Sequence, residues 1–150
     1  MTAIHQLQTI RKVIVKLTSD LTPEQLLYIP TGFKNNILWN MAHLVVTQQL
    51  LHYGLSNQPM LVSDDLVSGN RKGSSPSDWV ETPDVEEIKT QLVSLPKELE
   101  KDYQNGLFST FTEYPTSAGI TLKTIEDAII FNNFHEGLHM GTIMAMRKLI

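Results

Sequence analysis

The sequence contains no cysteine. That excludes thiolate metal sites, disulfide redox chemistry and a cysteine nucleophile. It also fits a reducing compartment, so the cytoplasm is the expected location. No apolar run approaches the roughly 20 residues that span a bilayer. The opening MTAIHQLQTIRK lacks the basic stretch, apolar core and cleavage site of a secretory leader. No membrane association is expected. Positive charge is scarce, with 12 Lys and Arg against 16 Asp and Glu and a net charge of -4. Basic residues cluster no further than the RK pairs at 11–12, 71–72 and 147–148. Nucleic-acid backbones are held by basic patches, so no nucleic-acid partner is expected. What the chain does have is 150 residues of 41% hydrophobic content. That suits one domain over residues 1–150 with one core.

Four segments carry helical periodicity, and none carries a convincing strand pattern. Over roughly residues 2–19, Ala3, Leu7, Ile10, Ile14 and Leu17 recur at spacings of three and four, marking one helix face. LTPEQLLYIP reads as a short helix with Thr22 as N-cap and Pro23 in its first turn. A second long helix starts at Asn35 or Asn36 and runs to about Tyr53 or Leu55. Its apolar residues, Ile37, Leu38, Met41, Leu44, Val45, Leu50 and Leu51, go nearly all the way round. Such a helix is central in a bundle or buries a second face against another subunit, which points to a homodimer. Residues 56–83 form a long polar connection of the kind that is often functional, with a turn of helix expected at SDDLV. The third helix follows TP at 82–83 and carries the stripe Val85, Ile88, Leu92, Leu95, Leu99 and Tyr103. Pro96 interrupts its hydrogen bonding but not its stripe, so a kink is expected. Residues 105–120 read as irregular. The fourth helix starts between Thr121 and Thr124, where TIED can form a capping box. The fold class is therefore all-α, a four-helix bundle with long connecting loops.

The stretch HEGLH, residues 135–139, matches the H-E-x-x-H signature of zinc peptidases. His135 and His139 are four apart and share a helix face with Ile125, Ala128, Asn132, Ile143 and Met146. They therefore point into the core, where two adjacent imidazoles need a shared partner or a cation. A zinc peptidase needs a third ligand downstream. Only MGTIMAMRKLI follows, without His, Asp or Glu. The extended pattern fails as well, with Thr142 in place of Gly and Ala145 in place of His. These departures argue against a peptidase. Glu136 projects roughly 80° from the mean histidine direction. It is either a solvated flank residue or a candidate catalytic general base at the rim. A third ligand must come from upstream. His5 lies away from its helix's apolar stripe. His43 and His52 are nine apart and fall on opposite sides of one helix, so at most one faces the site. His43, mid-helix, is preferred over His52 near the frayed end. Asn40 and Asn132 each sit three residues from a histidine and are candidates to orient a ring or bind substrate.

NNILWNMAHLV, followed some 90 residues later by FHEGLHMGTIMAMRK, resembles the DinB-like family of four-helix metalloproteins. LTPEQLLYIP and GITLKTIEDAI resemble what precedes that family's second and last helices. The resemblance covers most of the chain in order. It implies a metal site in which the family's helix-two histidine falls on His43 and its H-x-x-x-H pair on His135 and His139. In such proteins the Glu after the first histidine of the pair need not be a base. The family name records damage-induced expression of a founder and implies no DNA binding. Characterised members include metal-dependent transferases and isomerases that use low-molecular-weight thiols, and others are called metal-dependent hydrolases.

Three neutral imidazoles on a divalent metal leave positions open for water or another small nucleophile. Zinc, nickel and iron(II) all accept imidazole. The expected function is metal-dependent thiol S-transfer or hydrolysis on a small-molecule substrate, the transfer version with a low-molecular-weight thiol as cosubstrate. Arg71 and Lys72 in the long loop are candidates to grip a substrate carboxylate. The alternative is a non-catalytic, metal-stabilised dimeric helical module. Openness separates the two, because a structural site is closed by a fourth protein ligand.

Overall fold

The structure, a computed structural model, describes residues 2–150. Four long helices make the bundle: α1 (Ala3–Thr18), α3 (Ile37–Gln48), α5 (Val85–Gln104) and α6 (Ile125–Met146). Two short helices lie between them, α2 (Pro23–Leu27) and α4 (Asp64–Asn70). Each start has a chemical cause. Side chains of Thr2, Thr22, Asn36, Ser63, Asp84 and Thr124 accept hydrogen bonds from the free backbone N–H groups of the first turns. At Thr22 the box is closed by Gln25, with Pro23 in the first turn. At the start of α6, Asp127 N–H donates to Thr124, while the Asp127 carboxylate accepts from the Lys123 N–H.

α3 is buried on every side from Ile37 to Val46. It packs on α5 and α6, with α2 and α4 covering the rest. No second subunit is needed to bury it, so the dimer argument drawn from its all-round apolar character does not hold. Beyond Gln48 the helix continues as a π-helical turn, Gln49–Gly54, which shifts the register of His52 relative to the rest of α3. α5 runs unbroken through Pro96, so the proline does not stop the helix, as expected. Of the stripe read from the sequence, Ile88, Leu92, Leu95 and Leu99 are buried, whereas Val85 is half-buried and Tyr103 is exposed.

The long connection is more ordered than its composition suggests. It contains the seven-residue α4 and a 3-10 turn at Pro76–Asp78. Residues 105–120 end in a small hairpin that the sequence reading did not anticipate. Strands β1 (Tyr114–Pro115) and β2 (Thr121–Leu122) pair antiparallel, with Tyr114 opposite Leu122. Leu122 is fully buried against Leu51 and Ala128, so the hairpin plugs one end of the bundle. Two residues per strand are too few for alternation to show in the sequence.

Candidate metal centre

α3 and α6 pack along their length and bring three histidines together. The rings of His135 and His139, one turn apart on α6, have centroids 4.5 Å apart. The His43 ring on α3 lies 5.1 Å from the first and 4.7 Å from the second. One ligand atom from each falls within 4.8 Å of the other two, a group able to hold a metal ion.

Hydrogen bonds fix which nitrogens converge. His43 Nδ1 is 2.7 Å from the Asn70 carbonyl, so Nδ1–H donates and Nε2 keeps its lone pair. His139 Nδ1 is 2.7 Å from Asn40 Oδ1, which fixes that ring in the same sense. The His43 and His135 Nε2 atoms are 3.2 Å apart. Two nitrogens bound at 2.0–2.1 Å to one tetrahedral zinc would stand about 3.3 Å apart. The Trp39 ring stacks on His43 at 4.6 Å and 10°, which holds the imidazole plane. Thr47 Oγ1, one turn along α3, lies 3.3 Å from His43 Nε2. His135 Nδ1 is buried with no protein partner.

All three rings are held neutral. Burial lowers the pKa of His43, and the Asn70 carbonyl only partly offsets it. Burial, then the other two histidines, push His135 down to about 2. Burial, then His43, push His139 down to about 4. Neutral imidazoles are the form that ligates metals. The donor set therefore fits a divalent transition metal.

The remaining candidates fall in different places. Asn40 holds His139, as a ring-orienting residue would. Asn132 is fully buried, but its amide donates to Glu136 at 3.3 Å, and no hydrogen bond joins it to a ligand ring. Glu136 is neither solvated nor at a rim. It is fully buried, with Oε2 accepting from Arg11 Nε at 2.8 Å and Oε1 from Arg11 Nη2 at 2.6 Å. Arg11 Nη2 also donates to the Leu44 carbonyl at 2.7 Å, so one guanidinium ties α1 to both α6 and α3. Burial pushes the Glu136 carboxyl up, against the pull of Arg11 and Asn132. His52 is fully buried at the π-helical turn and takes no part in the triad; burial pushes it down to about 3. His5 is exposed, as its position on the wheel predicts.

Sequence reasoning missed Arg11, Thr47 and the Asn70 carbonyl. Arg11 had a signal: it sits between Leu7 and Ile14 on the buried seam of α1. Thr47 is one helical turn from His43. The Asn70 contact is made by backbone and has no sequence signature.

A cleft of about 760 Å³ opens between the long connection and α5. Asp65, Glu81, Asp84 and Glu87 line it, with Asn70 and Trp79 in its wall. Neither Arg71 nor Lys72 is among its lining residues, nor is any of the three histidines. The cleft is thus acidic, and the expected grip on a carboxylate is not formed there.

The model of the DinB superfamily matches residues 6–143. The chain belongs to the DinB superfamily. No curated protein matches the chain. The family match reaches from within α1 to within α6 and includes both parts of the histidine cluster. Among the described residues no helix is long and apolar enough to cross a membrane.

Proposed function

We propose that this DinB-superfamily chain is a divalent-metal-dependent enzyme acting on a small molecule, of the thiol S-transferase or hydrolase type, with His43, His135 and His139 as metal ligands. The observation that carries the reading is an open donor set. Among the described residues, the metal-binding group contains three histidines and no fourth His, Asp or Glu. His135 and His139 remain partly exposed. A structural site is closed by a fourth ligand, whereas a catalytic one keeps a position free. When bound, the metal would lower the pKa of a coordinated thiol or water towards neutrality.

The protein's own residues then have separable roles. Asn40 and the Asn70 carbonyl hold two imidazoles in the tautomer that presents Nε2. Trp39 fixes the plane of His43 and shields it. Thr47 places a hydroxyl beside the converging nitrogens, where it can accept from or donate to a bound substrate atom. Glu136 has both oxygens committed to Arg11, so we assign it to joining α6 to α1. Among the described residues the metal-binding group contains no carboxylate, and a thiol, already far more acidic than water when free, would need less help from a protein base than water would.

Elemental mass spectrometry on protein purified without a histidine tag tests the site, beside a His43→Ala control. About one equivalent of zinc, nickel or iron, lost in the control, is expected for a three-imidazole site. Cobalt substitution then tests openness. Addition of a low-molecular-weight thiol is expected to change the visible spectrum, and an unchanged spectrum in fully loaded protein would leave only the structural module.

A further inference from the structure

The cleft between the long connection and α5 combines negative charge, an aromatic ring and apolar surface. Its volume of about 760 Å³ lies within the roughly 300–1,000 Å³ of small-molecule sites. Four carboxylates line it, Asp65, Glu81, Asp84 and Glu87, and no Lys, Arg or His does. Among the described residues, none of the four takes part in an ion pair with Lys or Arg. Helix-terminus preference accounts for three of them, since Asp65, Asp84 and Glu87 stand at the starts of α4 and α5. Glu81 belongs to no helix and has no such reason to be there. Leu61, Leu66 and Ile88 share the lining. So does Gln91, whose Oε1 has no donor in the protein.

The aromatic wall is fixed in place. Trp79 Nε1 donates to Asn70 Oδ1 at 2.9 Å. The same ring lies so close to Gly69 that a Cβ there would stand 2.9 Å from its Cδ1. Gly69 and Asn70 are both buried at the end of α4, so the indole stands flush against that helix. A ring held in this way is a rigid part of the cleft. The main-chain carbonyl of Asn70 meanwhile accepts from His43 Nδ1 at 2.7 Å, so one residue separates the cleft from the histidine triad.

We infer that this cleft binds a linear aliphatic polyamine, a ligand whose ammonium groups are separated by methylene chains. The ligand class follows from how the charges are spread. Among the described residues, the histidine triad is the only group of three or more His, Asp or Glu whose ligand atoms lie within 4.8 Å of one another. The cleft carboxylates therefore do not converge as the oxygens around one calcium or magnesium ion do. A cation of spread charge can meet them one at a time. A single ammonium would leave most of them unmatched. Methylene spacers suit Leu61, Leu66 and Ile88, and an ammonium beside an indole gains a cation–π attraction. With no basic group in the lining, a carboxylate or phosphate ligand would meet only like charge. The inference does not rest on the metal reading, because none of the three histidines lines the cleft.

Isothermal titration of the full chain with spermidine, a linear triamine, is the test. About 0.1 M salt screens diffuse attraction beyond roughly 10 Å. One equivalent should bind. In a nitrogen-15 spectrum, the indole N–H signal of Trp79, one of two tryptophans, should shift over the same concentrations. Asp65→Asn with Glu81→Gln should weaken binding by about tenfold, a few-fold for each exposed charge contact. Both side chains are exposed, so that variant should fold as the wild type does. Glu24→Gln with Glu113→Gln makes the same change in net charge away from the cleft and should bind like wild type. His43→Ala should also bind like wild type; loss of binding there would place the amine on a metal at the triad instead. No binding at millimolar spermidine, a Trp79 signal that stays still while spermidine binds, or equal weakening in the two double variants would each overturn the inference.

Discussion

Arg11→Met is the most informative single change outside the histidines. Arg11 is fully buried, and its guanidinium makes two contacts to Glu136, at 2.8 and 2.6 Å, and one to the Leu44 carbonyl, at 2.7 Å. Its removal would leave a fully buried carboxylate with only the Asn132 amide, at 3.3 Å. Breaking one side of a buried ion pair costs about 3–5 kcal/mol, because the remaining charge keeps its desolvation penalty. That is a large share of the roughly 5–15 kcal/mol by which a domain is stable. The double variant Arg11→Met with Glu136→Leu removes both charges at once. Replacing a buried pair by apolar groups is often neutral, so the double variant is expected to lie within about 2 kcal/mol of wild type. The two single costs therefore should not add. Urea unfolding of wild type, both single variants and the double variant, followed by circular dichroism with chelator present, measures the cycle. A coupling below about 0.5 kcal/mol would refute the account, since independent sites add within that margin. The same residue decides the chemistry once an activity is found. Glu136→Gln keeps an acceptor for Arg11 and is expected to change the rate little. A fall of about 100-fold or more, with the fold intact, would make Glu136 a general base after all.

Asn40→Ala removes the acceptor that holds His139 Nδ1 and is expected to weaken metal binding by about 10–100-fold, measured by competition with a chromogenic chelator. His52→Leu should leave metal content unchanged in elemental analysis; its loss would move the third ligand from His43. The same variant should flatten the acid limb of stability. Burial holds folded His52 near a pKa of about 3, so the folded state refuses a proton that the unfolded chain accepts. That part of the stability is complete above about pH 6.5 and is lost as pH falls from there towards 3, at about 1.4 kcal/mol per unit. Urea unfolding at pH 7.5 and pH 5.0 should show wild type losing about 2 kcal/mol more than the variant over that interval. An equal loss in both proteins would show that His52 is not buried neutral.

What could be read from the chain follows from what periodicity encodes. Helices of 16–22 residues give several turns of pattern, and α1, α5 and α6 were legible in extent and face. The two-residue strands at 114–115 and 121–122 offer no period at all, so the hairpin was invisible. α3 was legible as an all-round apolar helix, but that pattern alone could not distinguish a central helix from a subunit interface. Nine-residue spacing on a regular helix allowed only one of His43 and His52 to face the site, and His43 was preferred for its place in mid-helix. The π-helical turn at Gln49–Gly54 disturbs that spacing, yet it falls after His43 and leaves the geometry at the triad intact. Asn40 and Asn132 were singled out by their three-residue offset from a histidine, but their partners were not readable. An amide three residues from a histidine can reach that histidine, a facing helix or neither. Asn40 reaches across to His139, whereas Asn132 stays on its own helix with Glu136.

Arg11 is the residue that decides what HEGLH means. In a peptidase the glutamate of H-E-x-x-H must reach a water held beside the two histidines. A helix places that glutamate on the next face round from the histidines, so its destination depends on which neighbour covers that face. Here α3 covers the histidine face and supplies His43. α1 covers the glutamate face and supplies a buried guanidinium from 125 residues upstream. A fully buried carboxylate whose two oxygens both accept from one guanidinium is held away from the triad, and turning towards it would break those bonds. The same five letters on an α6 covered by a leucine at position 11 would leave Glu136 free to turn towards the triad. The distinction between a catalytic and an anchoring glutamate thus lies in the α1 seam, Leu7, Arg11 and Ile14, where a charged residue interrupts an apolar stripe and marks a buried partner.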